Sequence, residues 1–110
     1  MSYSPDYKDQ RRDARVNTEL SVLIRVGTQL TLQGHLKDIS LKSAFIRIKN
    51  NVFLQTGDPV GFTVQCSPKA DEDLIEGTAA VSRIVPGEGM AIYFTKMDEA
   101  SSTRLRKLLV

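Results

Sequence analysis

The chain has 110 residues with a formal charge of +2; 25% are charged, 41% are hydrophobic, and there is one cysteine and one histidine. That length suits one domain with one core, and the composition is that of an ordinary globular protein. It excludes a protein that coats DNA or RNA through bulk positive charge, a disulfide scaffold, and a metal or catalytic centre needing several histidines or cysteines. No apolar run reaches the length of a membrane span, and the leader MSYSPDYKDQRRD lacks the apolar stretch of a secretion signal. The expectation is a cytoplasmic protein without membrane insertion.

Residues 1–15 show no helical or strand periodicity and contain Pro5. They read as a flexible N-terminal arm, separate from a folded unit over residues 16–110. From Thr18 to Val26 the alternation of Leu20, Val22, Ile24 and Val26 predicts a half-buried strand, and Gly27-Thr28 supplies a turn. A second strand is predicted from Gln29 to Lys37, with Leu30, Leu32, Gly34 and Leu36 on one face. Gly34 inside it signals a bulge or a close backbone approach. The short link Asp38–Ser43 leads into a strand over Ala44–Lys49, which Asn50-Asn51 breaks. After Gly57-Asp58-Pro59 come Val60–Cys66, a polar loop over residues 67–73, and a long strand Leu74–Val85. Cys66 alternates with Phe62 and Val64, the pattern of a small buried side chain and not of a reactive thiol. Pro86-Gly87-Glu88-Gly89 turns the chain into Met90–Thr95.

Six strands with short links and no helix between them predict a mainly all-β fold, a closed six-stranded antiparallel barrel. Only the tail, 98–109, has helical spacing: Asp98 is the N-cap, and Leu105, Leu108 and Leu109 share one side. This C-terminal helix is expected to plug one end of the barrel. Arg104, Arg106 and Lys107 would then stand in water near its C-terminus, where cations complement the dipole.

Two polar signatures flank the first strand hairpin. One is Arg11-Arg12-Asp13-Ala14-Arg15, with arginines four apart; the other is Asp38-Ile39-Ser40-Leu41-Lys42-Ser43. A guanidinium grips a phosphate or the O6/N7 edge of guanine bidentately, and its plane stacks on a base. A carboxylate accepts from the Watson–Crick donors of guanine, and a hydroxyl reaches a phosphate oxygen. Arginines with one Asp and one Ser suit a guanine nucleotide better than a sugar or a lipid.

The pair resembles the signature of the PilZ domain family, R-x-x-x-R followed one hairpin later by [D/N]-x-S-x-x-G. Arg11 and Arg15 match the first element, and Asp38 and Ser40 the start of the second. The stretches 76–84 and 89–94 resemble the family's closing hairpin, so the likeness runs from about Gln10 to Thr95. It implies a PilZ-like barrel and a stand-alone receptor for the bacterial second messenger cyclic di-GMP. The ligand would be held by Arg11, Arg15, Asp38, Ser40 and Ser43, and the receptor would signal to a partner protein with motility, biofilm or virulence as output. Arg12 has two readings, a member of the ligand shell or a surface charge beside Asp9. Gln10 holds the position that in the family bears on ligand stoichiometry. Ser43 stands where the family has glycine. At a positive φ a serine there costs about 1 kcal/mol, and at an ordinary φ it adds a hydroxyl.

Other readings remain on the sequence alone. A degenerate PilZ-type module would bind a protein and ignore the nucleotide. A barrel for single-stranded nucleic acid would need clustered aromatics, and Phe45, Phe53 and Tyr93 are scattered. His35 has no partner residues for metal or triad chemistry, and Asp71, Glu72 and Asp73 read as a solvated loop, so no enzyme and no cofactor are expected.

Overall fold

The computed structural model describes residues 16–17, 19–49, 54–66 and 74–110. Its strands are β1 (Val16–Asn17), β2 (Ser21–Val26), β3 (Leu30–Ile39), β4 (Ser43–Arg47), β5 (Pro59–Gln65), β6 (Leu74–Val85) and β7 (Gly89–Met97), followed by helix α1 (Glu99–Leu108). The sheet order is β1-β3-β2-β5-β6-β7-β4, and a further pairing of β3 with β4 closes β2–β7 into a six-stranded ring. Every pairing is antiparallel. Closure removes the open sheet edges that would otherwise template aggregation.

The inward positions follow from alternation. Val22, Ile24, Leu36, Ile46, Phe62, Val64, Ile75, Val81, Met90 and Ile92 are all buried and form one cluster. Each such side chain contributes about 1.5–3 kcal/mol on leaving water. Cys66 is half-buried and packs against this cluster. Gly34 fulfils the close-approach reading: a Cβ there would lie 2.5 Å from the Arg47 carbonyl oxygen on β4. Gly87, at φ 77, makes the β6–β7 turn in a conformation that other residues resist.

Several boundaries differ from expectation. β3 continues past Lys37 to Ile39, and β4 begins at Ser43, so the link is only residues 40–42. Leu30, expected inside, is 41% exposed because the β2–β3 hairpin end overhangs the core. β7 runs to Met97, longer than expected, and β1 is an additional strand. Two residues are too few for a periodicity, so β1 could not be read from sequence.

Helix α1 starts where the sequence places it. The Asp98 carboxylate accepts from the Ser101 N–H at 2.7 Å and caps the first turn. Leu105 enters the core, with Leu108 and Leu109 packed beside it. The helix is also pinned to β6. Ser101 Oγ accepts from the Glu76 N–H at 3.0 Å, and Arg104 Nη1 donates to the Leu74 carbonyl at 2.8 Å. Arg104 is therefore a half-buried strut and not, as expected, a solvated charge, whereas Arg106 and Lys107 are exposed.

Candidate functional site

The second signature folds as a tight β3–β4 loop built around Ser40. Ser40 is 3% exposed. Its N–H donates to the Ser43 carbonyl at 2.8 Å, while its Oγ accepts from the N–H groups of Lys42 (3.3 Å) and Ser43 (3.2 Å). The Ser43 hydroxyl lies 3.4 Å from the same oxygen. Serine suits such a turn because a short hydroxyl side chain can replace a backbone acceptor. Ser43 pairs with Tyr93 in the β4–β7 ladder, so its backbone is that of a strand residue.

Asp38 reaches the surface because of a bulge. In the β3–β4 register Leu36 opposes Ile46 and Asp38 opposes Phe45, so Lys37 is skipped. Plain alternation from buried Leu36 would aim residue 38 into the core. The bulge turns both Lys37 and Asp38 outward and restores Ile39 to the interior. β6 repeats the device. Val81 opposes Ile92, Arg83 opposes Ala91, and Ser82 is skipped, leaving Ser82 and Arg83 both outward. The Ser82 hydroxyl donates to the Ala91 carbonyl at 3.2 Å and fixes this second bulge.

Between the bulges lies a cavity of about 480 Å³ whose walls include Lys37, Asp38, Ser43, Phe45, Arg83 and Glu88. Phe45 is on the outer face of β4 yet only 9% exposed. Lys37 Nζ is 5.5 Å and Arg83 Cζ 5.8 Å from its ring centroid. Small neighbours on β7 seat the ring: Ala91 opposes Phe45, and a Cβ on Gly89 would meet Phe45 Cε1 at 2.8 Å. A larger concavity of about 820 Å³ adjoins it, sharing Lys37, Phe45 and Glu88 and adding His35, Arg47 and Lys49. Two cations, two carboxylates and the hydroxyls of Ser43 and Ser82 around the smaller cavity suit a ligand that carries both anionic groups and hydrogen-bond donors.

Sequence reasoning named Asp38, Ser40 and Ser43, and the structure brings these three together at this corner. It did not single out Lys37 and Arg83, which line the same cavity, because alternation alone does not reveal a bulge, and it considered Phe45 only as a scattered aromatic. Gln10, Arg11, Arg12 and Arg15 lie outside the described residues. Arg15 is nonetheless bonded to Val16, and β1 pairs Val16 with Ile39 and Asn17 with Asp38. Phe53 also lies outside them. Tyr93 is 48% exposed across from Ser43 and does not line the same cavity as Phe45. Among the described residues no group of three His, Cys, Asp or Glu could hold a metal ion, and no helix is long and apolar enough to cross a membrane.

The fold is a small closed β-barrel with a concave corner of mixed charge at a bulged hairpin. The chain belongs to the PilZ domain family, whose model matches residues 9–110. Among curated proteins no sequence match is found. Solved structures share the architecture. The chain superposes on the Bacillus subtilis inhibitor of motility (MotI/DgrA) with a TM-score of 0.75 at 16% identity, covering 91% of this chain and 49% of that one. It therefore spans about half the length of that protein. The PilZ domain of YcgR from Escherichia coli with c-di-GMP gives 0.70 at 14% identity, with coverage of 91% and 88%. The PilZ domain of CeSA from a cellulose-synthesizing bacterium gives 0.65 at 17%, with coverage of 86% and 93%. At these identities the likeness establishes the fold.

Proposed function

We propose that this protein is a cyclic di-GMP receptor and adaptor, in which residues 10–15 close over a ligand seated at the Asp38–Ser43 corner. The observation that carries the reading is β1. Its pairing sets Val16 and Asn17, which directly follow the R-x-x-x-R signature in sequence, against Ile39 and Asp38 of the D-x-S signature. In this reading Arg11 and Arg15 grip phosphates and guanine edges, and Asp38 accepts from guanine N–H donors. Ser40 holds the loop in shape, and Ser43 offers a hydroxyl at the rim. The mixed charge of the cavity supports a nucleotide over a bare anion. Ligand, ordered arm and strand surface together would form a composite face for a partner protein, with a motility, biofilm or virulence output.

Calorimetric titration with cyclic di-GMP tests the reading. The parent should bind saturably at micromolar ligand, with Arg15→Ala weaker by about 1–3 kcal/mol and Asp38→Ala also impaired. No heat with the parent, or a parental dissociation constant for Arg15→Ala, would refute it. The first result would leave a protein-binding module that ignores the nucleotide.

A further inference from the structure

The β3 bulge, the β6 bulge and the ring between them form one device that neither sequence signature contains. An outward aromatic on a barrel strand is ordinarily open to water, yet Phe45 is 9% exposed. It is covered by Lys37 at 5.5 Å and Arg83 at 5.8 Å. Both cations lie within the range at which a ring face attracts them. The arrangement also brings two positive groups toward one ring, and like charges repel. Both cations stand on exposed, outward positions of β3 and β6 and face the same cavity. Two bulges and a glycine seat on β7 are needed to build it. Such a pair is preorganised for an anionic group that bridges both cations.

From this we infer that Lys37 and Arg83, seated on Phe45, clamp a phosphodiester of the bound nucleotide from the barrel side. The clamp rests on the proposed nucleotide reading and adds specificity residues that lie outside the two signatures. Arg83 supplies a planar fork for two phosphate oxygens, and Lys37 adds a compact charge beside it. Asp38 and Glu88 line the same cavity, so a bare anion would meet two carboxylates there, whereas a guanine nucleotide also brings donors for them. Phe45 touches the ligand only through the cations and is a positioning residue.

The test is calorimetry with cyclic di-GMP on the full chain, with thermal melting of every variant. Arg83→Ala should weaken binding about tenfold or more, since a charge-assisted phosphate contact is lost. Lys37→Ala should weaken it less, and both should melt as the parent does. Arg83→Lys should recover part of the loss, as a charge without the fork. Phe45→Leu should weaken binding in the parent background and have no further effect once Lys37 and Arg83 are both alanine, an outcome that a merely structural role would not give. A parent that binds while the Lys37→Ala/Arg83→Ala double variant keeps its affinity would overturn the clamp alone. A parent that does not bind overturns the nucleotide reading and the clamp with it.

Discussion

Ser40 is buried, and its oxygen accepts from two backbone N–H groups of its own loop. Alanine at this position removes an acceptor that water has little room to replace. Ser40→Ala should therefore lower unfolding free energy by about 1–2 kcal/mol in urea titrations. If the chain is the proposed receptor, ligand affinity should fall with it, because the same loop carries Asp38 and Ser43. Thr at this position keeps the hydroxyl and should retain most of both. An unchanged denaturation midpoint for Ser40→Ala would show that the loop holds its shape without this oxygen. Gly34 makes the opposite point, where a side chain is excluded. An added Cβ would lie 2.5 Å from the Arg47 carbonyl oxygen and 3.1 Å from Ile46 Cγ2. Neither β3 nor β4 can withdraw without opening the ladder, so Gly34→Ala should cost about 1–3 kcal/mol by the same measurement.

At the scale of elements, helix α1 stands on two kinds of support. Leu105 supplies apolar burial, and Ser101 and Arg104 tie the helix to the backbone of β6. Ser101 is 1% exposed, so Ser101→Ala strands the Glu76 N–H and should cost about 1–3 kcal/mol. The cap adds a pH dependence. The backbone and side-chain hydrogen bonds from Ser101 hold the Asp98 carboxyl below its ordinary value of 3.8, with Arg104 adding to the effect. A carboxyl lowered in the folded state stabilises the fold above its unfolded pKa, and that contribution disappears as acid drives pH through the folded value. Melting temperature should fall more steeply below about pH 4 in the parent than in Asp98→Asn, which keeps a cap that does not titrate. Parallel pH profiles for the two proteins would remove Asp98 from the account.

The six main strands and barrel closure were legible in the sequence because alternation of Val22/Ile24, Phe62/Val64 and Met90/Ile92 survives intact, and Asp98 marks the helix start. The bulges at Lys37 and Ser82 were not legible, since an extra residue shifts the alternation locally and leaves no composition signal. Plain alternation from buried Val81 would aim Arg83 into the core, and the second bulge instead turns it outward over Phe45. β1, which pairs with β3 beyond the residues that β2 covers, was not legible either, because two residues carry no periodicity.

In the proposed receptor, β1 would bear on how the whole molecule responds to ligand. Fixing a backbone unit costs about 1–2 kcal/mol, so ordering residues 10–15 over a ligand would offset much of the binding energy that their arginines supply. Pairing of Val16 and Asn17 would lower the remaining cost, because the two residues that follow the segment are already paired beside Asp38. Two consequences follow for the receptor reading. A chain starting at Val16 should melt as the parent does, because the core and both bulges lie outside the removed part. Its affinity for cyclic di-GMP should fall about a hundredfold or more, as two bidentate arginine contacts are lost together. In the full chain, amide signals of residues 10–16 should shift and gain exchange protection on ligand addition, while those of β5 stay put. If the shortened chain binds as tightly as the parent, the barrel corner alone is the receptor and the arginine segment has another use.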